Sequence, residues 1–366
     1  MRALCAKKSL FVDSKFALRA LVAMPTFSEF AVHAVRRMST DDSAGGGQKP
    51  LKLGLDYLKR LAQLERIDAD CFRANFLVPG YRKALNKDVY GGLMFAQAVA
   101  AAEATADGQF APHAAHSLFT SKAFTDRPIE YSVTKTRDGR SFCTRKVEAR
   151  QDGRIVLSAQ ISLCVKEPSA IEHQEAMPEV PSPETVAPFF DTARDVVNQH
   201  DEGRTTQNAT IIANLRTLLD DENQLSIFEF RPVHPDIFIG FRRHSPTPIL
   251  YWLKCLVPLG AERTNKALNR FLLAFITDAT MASTANRPHT SHGHQPSMVV
   301  TLDHVVHFHS DDFSVDEWLL CENSSPIADG GRALTDGRIW DRNGRLLLTA
   351  RQESLIRSRA KETSKL

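Results

Sequence analysis

A chain of 366 residues that is 43% hydrophobic and 24% charged has the composition of an ordinary globular protein, with length for about two domains. Its net charge of +3, with both signs mixed along the chain, is too weak a bias for nucleic acid as the main partner, though an anionic small molecule remains open. No run of about 18 or more apolar residues occurs, so no membrane span is expected.

Residues 1–38 carry Arg2, Lys7, Lys8, Lys15, Arg19, Arg36 and Arg37 against only Asp13 and Glu29, a composition like that of a mitochondrial transit peptide. A disordered or mis-assigned extension fits the same stretch, with Met24 and Met38 as alternative starts. Residues 39–50 are polar and Gly-rich, so 1–50 is read as extension and linker. Leu55, Leu58, Leu61 and Leu64 then recur at helical spacing and predict a short amphipathic helix. From Val89 to Thr105 a Tyr-Gly-Gly opening followed by small residues predicts a helix that another element approaches closely. Strands are predicted at 116–124, 129–137, 141–150 and 155–165, with Asp-Gly turns at 138–139 and 152–153. Residues 168–188 are Pro-rich and acidic, a crossing linker, and 189–226 are polar and partly helical. Strands follow at 227–233 and 250–256, a helix at 262–277, and strands at 298–308, 318–322, 332–341 and 346–356.

The second series repeats the first. GRIVLSAQISLCV at 153–165 returns as GRLLLTARQESLI at 344–356, and the helix near 92 and strand near 116 return near 278 and 301. The chain is therefore divided into a first repeat at 51–167, a linker region at 168–226, a second repeat at 227–358 and a tail at 359–366. In the paired strands Ile161 corresponds to Gln352, an apolar position turned into an amide, which marks a candidate functional site. The six cysteines include no Cys-x-x-Cys pair, and Cys143 and Cys164 fall in apolar strand runs, so buried free thiols in a reducing compartment are expected.

Several short motifs keep the order and spacing of a known family. They are Leu64-Glu65-Arg66-Ile67 with Phe72-Arg73, Val89-Tyr90-Gly91-Gly92 with Gln97-Ala98, and Arg137-Asp138-Gly139 with Ser141-Phe142. Further on come Glu172-His173-Gln174 with Met177-Pro178, Pro181 and Pro183, then Thr301-Leu302-Asp303-His304 with Phe308-His309, and Gln352-Glu353. On these residues the chain resembles the acyl-CoA thioesterase II family of bacteria and peroxisomes from about Leu55 to Arg357. The resemblance implies an α+β double hotdog fold, two fused repeats each with a long helix packed on an antiparallel sheet. It also implies cofactor-free hydrolysis of fatty acyl-CoA to fatty acid and CoA, by an Asp, a Thr or Ser, and a Gln that hold a water. The matching positions are Asp278 in FITDAT, Thr301 in VVTLDH and Gln352 in TARQES. The chain departs from the family at 116–128, which is short and lacks a Pro-Gly turn, at His307, where Trp is usual, and at 184–226. These departures bear on acyl-chain preference more than on the reaction.

A thioester carbonyl is already electrophilic, so hydrolysis needs a positioned, deprotonated water and donors for the oxyanion rather than a covalent nucleophile. Asp278 ends the apolar run LLAFITD, where burial would raise its pKa; a helix-terminal cap or surface acid is the plainer alternative. Thr301 is also simply a good strand former, whereas an amide such as Gln352 on the apolar face of a strand needs partners. Oxyanion donors are expected at a helix start. Histidines 289, 292, 294, 304, 307 and 309 lack zinc spacing, and His304 points opposite to His307 and His309 by strand parity, so no metal is expected. Arg137-Asp138-Gly139 reads as a hairpin turn, with Arg137 and Arg145 as alternative contacts for CoA phosphates. No Gly-x-Ser-x-Gly or Gly-x-Gly-x-x-G is present. Two rival readings remain: a hotdog hydratase or dehydratase, and a non-catalytic acyl-CoA-binding protein. The last three residues, Ser364-Lys365-Leu366, form the peroxisomal import tripeptide, which outweighs the N-terminal bias and predicts an import receptor as partner and the peroxisomal matrix as location. Exposed sheet edges predict a pseudo-dimer that associates further as a homo-oligomer.

Overall fold

A computed structural model describes residues 54–80, 87–205, 209–220, 227–241 and 248–358. The extension at 1–50 and the tail with Ser364-Lys365-Leu366 lie outside the described residues. The first half runs α1 (Leu55–Ala62), β1 (Glu65–Arg66), β2 (Cys71–Ala74), α2 (Gly91–Glu103), then β3 (Phe110–Phe119), β4 (Ile129–Asp138), β5 (Phe142–Gln151) and β6 (Arg154–Val165). After the linker come α3 (Phe189–Asp201) and α4 (Ala209–Asp220). The second half runs β7 (Phe228–Pro232), α5 (Pro235–Ile239), β8 (Ile249–Cys255), α6 (Lys266–Thr284), α7 (Arg287–Thr290), β9 (Pro296–Thr301), β10 (Asp303–Phe308), β11 (Leu319–Asp329), β12 (Arg332–Asp341) and β13 (Leu346–Ser358).

The strands of the described residues join one antiparallel sheet, ordered β1-β2-β4-β5-β6-β3-β10-β13-β12-β11-β8-β7, with β9 paired to β13. Its halves have the same topology, β2-β4-β5-β6-β3 mirrored by β8-β11-β12-β13-β10, and they meet where β3 pairs with β10, Val305 opposite His116. Helix α2 packs on the strands of the first half, α6 on those of the second, and the two helices pack on each other. This is the double hotdog arrangement that the resemblance implied. A helix held between a sheet and a second helix must be apolar nearly all round. Accordingly Leu93 to Ala102 of α2 are buried except Ala100, and every residue of α6 from Leu268 to Thr284 is buried.

Local chemistry explains the connections. The β5–β6 hairpin turns on Asp152 and Gly153, with φ of 50° and 75°, the double positive φ that a two-residue type I′ turn requires and Asp-Gly supplies. Asn265 caps α6, its side chain accepting the Leu268 N–H at 3.0 Å. The linker runs along the second half, where Trp252 Nε1 donates to Pro181 O at 2.9 Å and Trp340 Nε1 to Glu175 O at 3.2 Å.

Some boundaries differ from the sequence reading. Strand β3 starts at Phe110 rather than 116, and β1 and β2 are too short for a clear alternation signal. Helix α6 begins at Lys266 and continues to Thr284, seven residues beyond the predicted end at 277, because packing between helix and sheet sustains it past the apolar run. The strand predicted at 298–308 is two strands, β9 and β10, interrupted at Leu302. The described cysteines 71, 143, 164, 255 and 321 are free thiols. No described helix is long and apolar enough to cross a membrane.

Candidate active site

Asp278 lies in the interior of α6, six residues short of its end, so it is neither a helix cap nor a surface acid. It is 4% exposed. Burial pushes its carboxyl up from 3.8 to about 6, opposed by hydrogen bonds from Thr301, the Gly92 backbone N–H and the Gln352 amide. No charged side chain contributes to that shift, so the carboxylate is held by dipoles alone. Such a group is poised to exchange a proton near neutral pH.

Thr301 reaches Asp278 through a local irregularity. In β9 it pairs with Ser354, whereas in β10 Val305 pairs with Arg351, so four residues on one strand span three on the other. That is a β-bulge, and it reverses the facing of side chains beyond it. The Asp303 carboxylate completes the interrupted ladder by accepting the Glu353 N–H at 2.6 Å. Thr301 and His304 would face opposite ways in a regular strand. Across the bulge both turn inward: the Thr301 Oγ1 donates to Asp278 Oδ1 at 3.1 Å, and His304 is fully buried. Gln352, on the inward face of β13 and fully buried, donates from Nε2 to Thr301 Oγ1 at 2.9 Å. The three residues picked from the sequence therefore stand in one directional chain, amide to hydroxyl to carboxylate. Ile161, the counterpart of Gln352, is buried in the apolar core of the first half.

The first half contributes backbone to the site. The start of α2 crosses α6 so closely that a Cβ on Gly92 would lie 2.3 Å from Phe275 O, and a Cβ on Gly91 would lie 2.8 Å from Asp278 Oδ2. The Tyr90 hydroxyl fastens this crossing by donating to Phe275 O at 2.8 Å, with its ring edge-on to that of Phe275 at 4.9 Å. The paired glycines thus serve as helix entry and as a site of close approach. The group that approaches is a carboxylate of the other half, which no local pattern announces. The positive end of the α2 dipole faces it. Tyr90 was given no role in the sequence reading, and His304 was weighed there only as a metal ligand; only their place inside the quoted motifs could have drawn attention to them as parts of this site.

One expectation needs adjustment. Arg145 is buried and held by Asp138 Oδ1 at 2.6 Å, Thr105 Oγ1 at 3.0 Å and the Arg137 carbonyl at 3.1 Å, so it braces the β4–β5 hairpin and is not available to CoA phosphates. His116 and His307 lie on the outer face of the sheet, their rings 5.5 Å apart across the β3–β10 seam, and no metal-binding cluster occurs among the described residues. A groove of about 530 Å³ lined by His116, Ser158 and Gln160 lies along that outer face, and one of about 580 Å³ lies between α1, α2 and α6. None of Asp278, Thr301 and Gln352 lines either groove. The chemistry, not the volume, locates the site.

A family model described as the acyl-CoA thioesterase N-terminal domain matches residues 78–164, and one described as the acyl-CoA thioesterase C-terminal domain matches residues 175–356. The chain is 30% identical over 312 residues to acyl-coenzyme A thioesterase 8 of Homo sapiens, covering 85% of this chain and 92% of that protein. It is 21% identical over 338 residues to peroxisomal acyl-coenzyme A thioester hydrolase 1 of Saccharomyces cerevisiae, covering 83% and 95%. Among solved structures, an acyl-CoA thioesterase II from Mycobacterium marinum aligns with a TM-score of 0.62 at 26% identity, covering 83% of this chain and 98% of that one.

Proposed function

The chain belongs to the acyl-CoA thioesterase II family, and from that premise we propose that Asp278 is its general base, with Thr301 and Gln352 aligning the attacking water. The protein is an acyl-CoA thioester hydrolase. The observation that carries the residue assignment is the hydrogen-bond chain from Gln352 through Thr301 to a buried carboxylate whose pKa is lifted to about 6. In this reading Asp278 removes one proton from water as the oxygen adds to the thioester carbonyl. The negative charge that develops on the carbonyl oxygen is met by the opening turn of α2, the positive end of a helix. Collapse of the adduct breaks the C–S bond, and the leaving sulfur takes the proton back from Asp278, which restores the base and releases carboxylic acid and CoA. Thr301 and Gln352 hold the carboxylate ionised and oriented before it takes the proton, since each hydrogen bond to it favours the charged form.

Fatty acyl chains are the proposed substrates, and the test is release of free thiol from short, medium, long and branched saturated acyl-CoAs. We expect one thiol per acyl-CoA consumed. Turnover only of unsaturated acyl-CoA without thiol would favour a hydratase, and binding without turnover an acyl-CoA-binding protein.

The proposed location is the peroxisome, supported by Ser364-Lys365-Leu366 at the C-terminus and by a relative in yeast named as peroxisomal. Deleting the three residues from a tagged full-length chain should abolish peroxisomal accumulation. Continued accumulation would refute the role of the tripeptide.

A further inference from the structure

An ionised carboxylate only accepts hydrogen bonds, and this fixes the direction of every bond behind Asp278. Thr301 must give its hydrogen to Asp278, so it receives the Gln352 Nε2 hydrogen on its lone pair. Gln352 Oε1 is then turned away from Thr301 into the interior, where it has no hydrogen-bond partner. β10 and β13 pair Val305 with Arg351; His304 and Gln352 are the next residues along each strand, and the Gln352 side chain acts on the His304 ring. His304 Nδ1 is likewise buried without a hydrogen-bond partner, while its Nε2 lies 2.8 Å from Thr277 Oγ1. The ring is fixed in place, fully buried and edge-on to Phe95 at 4.8 Å, and its backbone carbonyl receives the Ser117 hydroxyl at 3.0 Å.

We propose that His304 is a positioning residue that presents Nδ1–H to Gln352 Oε1, so that the amide cannot turn over and Nε2 stays on Thr301. The inference rests on the reading of Asp278 as base. A neutral imidazole offers one donor and one acceptor, which suits both neighbours: Nδ1–H for Gln352 and the Nε2 lone pair for the Thr277 hydroxyl. Thr277 Oγ1 donates to Ala274 O at 2.8 Å, and the proposed tautomer requires that hydrogen to turn to His304 Nε2, which lies at the same distance. Burial keeps the ring neutral by pushing it down to about 4, with Gln352 pulling the other way. If Nδ1 were the bare nitrogen, the amide would turn over, Oε1 would take the Thr301 hydrogen, and Asp278 would lose its donor.

The test compares H304N, whose amide N–H occupies the place of Nδ1, with H304Q, whose amide reaches the place of Nε2, and with apolar H304F. H304F should lower kcat by about 10- to 100-fold, the worth of one hydrogen bond to a charged group, with KM little changed. It should also shift the acid limb of the pH–rate profile upward, because Thr301 no longer holds the Asp278 pKa down. H304N should recover most of both effects and H304Q neither. In a Q352M background, H304F should add no further loss. Equal losses in folded H304N and H304Q, or losses from H304F and Q352M that multiply, would overturn the proposal. Should H304F not fold, H304N against H304Q and the position of the acid limb decide alone. Full activity of D278N would instead remove the reading of the base, an outcome separable from any result at His304.

Discussion

Replacement of Asp278 by Asn is expected to lower kcat by on the order of 10²–10⁴-fold, the range for loss of a general base. The substitution keeps shape and volume in a site where the residue is buried, so the loss reports chemistry rather than packing. The same carboxyl should set the acid limb of kcat/KM. Below a pH of about 6 it is protonated and cannot accept a proton from water, so activity rises with pH through that value and D278N lacks the limb. Stability should move the opposite way. The folded-state pKa is raised from 3.8 to about 6, so the contribution of the neutral acid is fully present below 3.8 and is lost as pH rises through 6. The loss amounts to roughly 3 kcal/mol at 1.36 kcal/mol per unit. D278N should therefore be less sensitive to pH between about 3.8 and 6 in urea denaturation, though its amide Nδ2 cannot accept the Gly92 N–H. Unchanged turnover by D278N, or a wild-type limb retained in the variant, would reject Asp278 as the base.

Replacement of Gly92 by Ala is expected to damage both stability and turnover. A methyl there would sit 2.3 Å from Phe275 O and 2.6 Å from the Tyr90 hydroxyl. The carbonyl belongs to the interior of α6 and cannot swing aside as a side chain could. Overpacking of this kind costs about 1–3 kcal/mol, which outweighs the gain of up to about 1 kcal/mol for Ala over Gly in a helix. Relief requires α2 to move away from α6, which takes the Gly92 N–H off Asp278. We expect a lower urea midpoint together with a kcat defect that persists at temperatures where G92A is fully folded. Wild-type stability and turnover in G92A would contradict the close crossing.

Much of the fold is legible in the chain because it is settled within a few residues. The Asp-Gly turn at 152–153, the alternation of β5 and β12 and the leucine spacing of α1 each depend on local backbone preference and a two-sided environment. The duplication was readable for the same reason, since equivalent elements face equivalent surroundings. Gln352 stood out as a polar break in a repeated apolar strand, and its buried hydrogen bond to Thr301 explains why that position is an amide. Arg145 misled the reading because a basic residue beside a turn looks the same whether it faces an anion or folds back onto its own hairpin.

The sequence by itself determined the repeat, the order of the main helices and strands, and three polar residues for the proposed site. Only the tertiary structure decided which of them meet. Thr301 faces Asp278 because one extra residue at Leu302 reverses strand parity, and that register is set by pairing with β13 some 51 residues away. Asp278 gains the Gly92 N–H because Tyr90 locks the start of α2 onto α6 across 185 residues of chain. Local sequence carries backbone preference, but the pKa of a buried acid and the direction of its hydrogen bonds come from groups that only folding brings within reach.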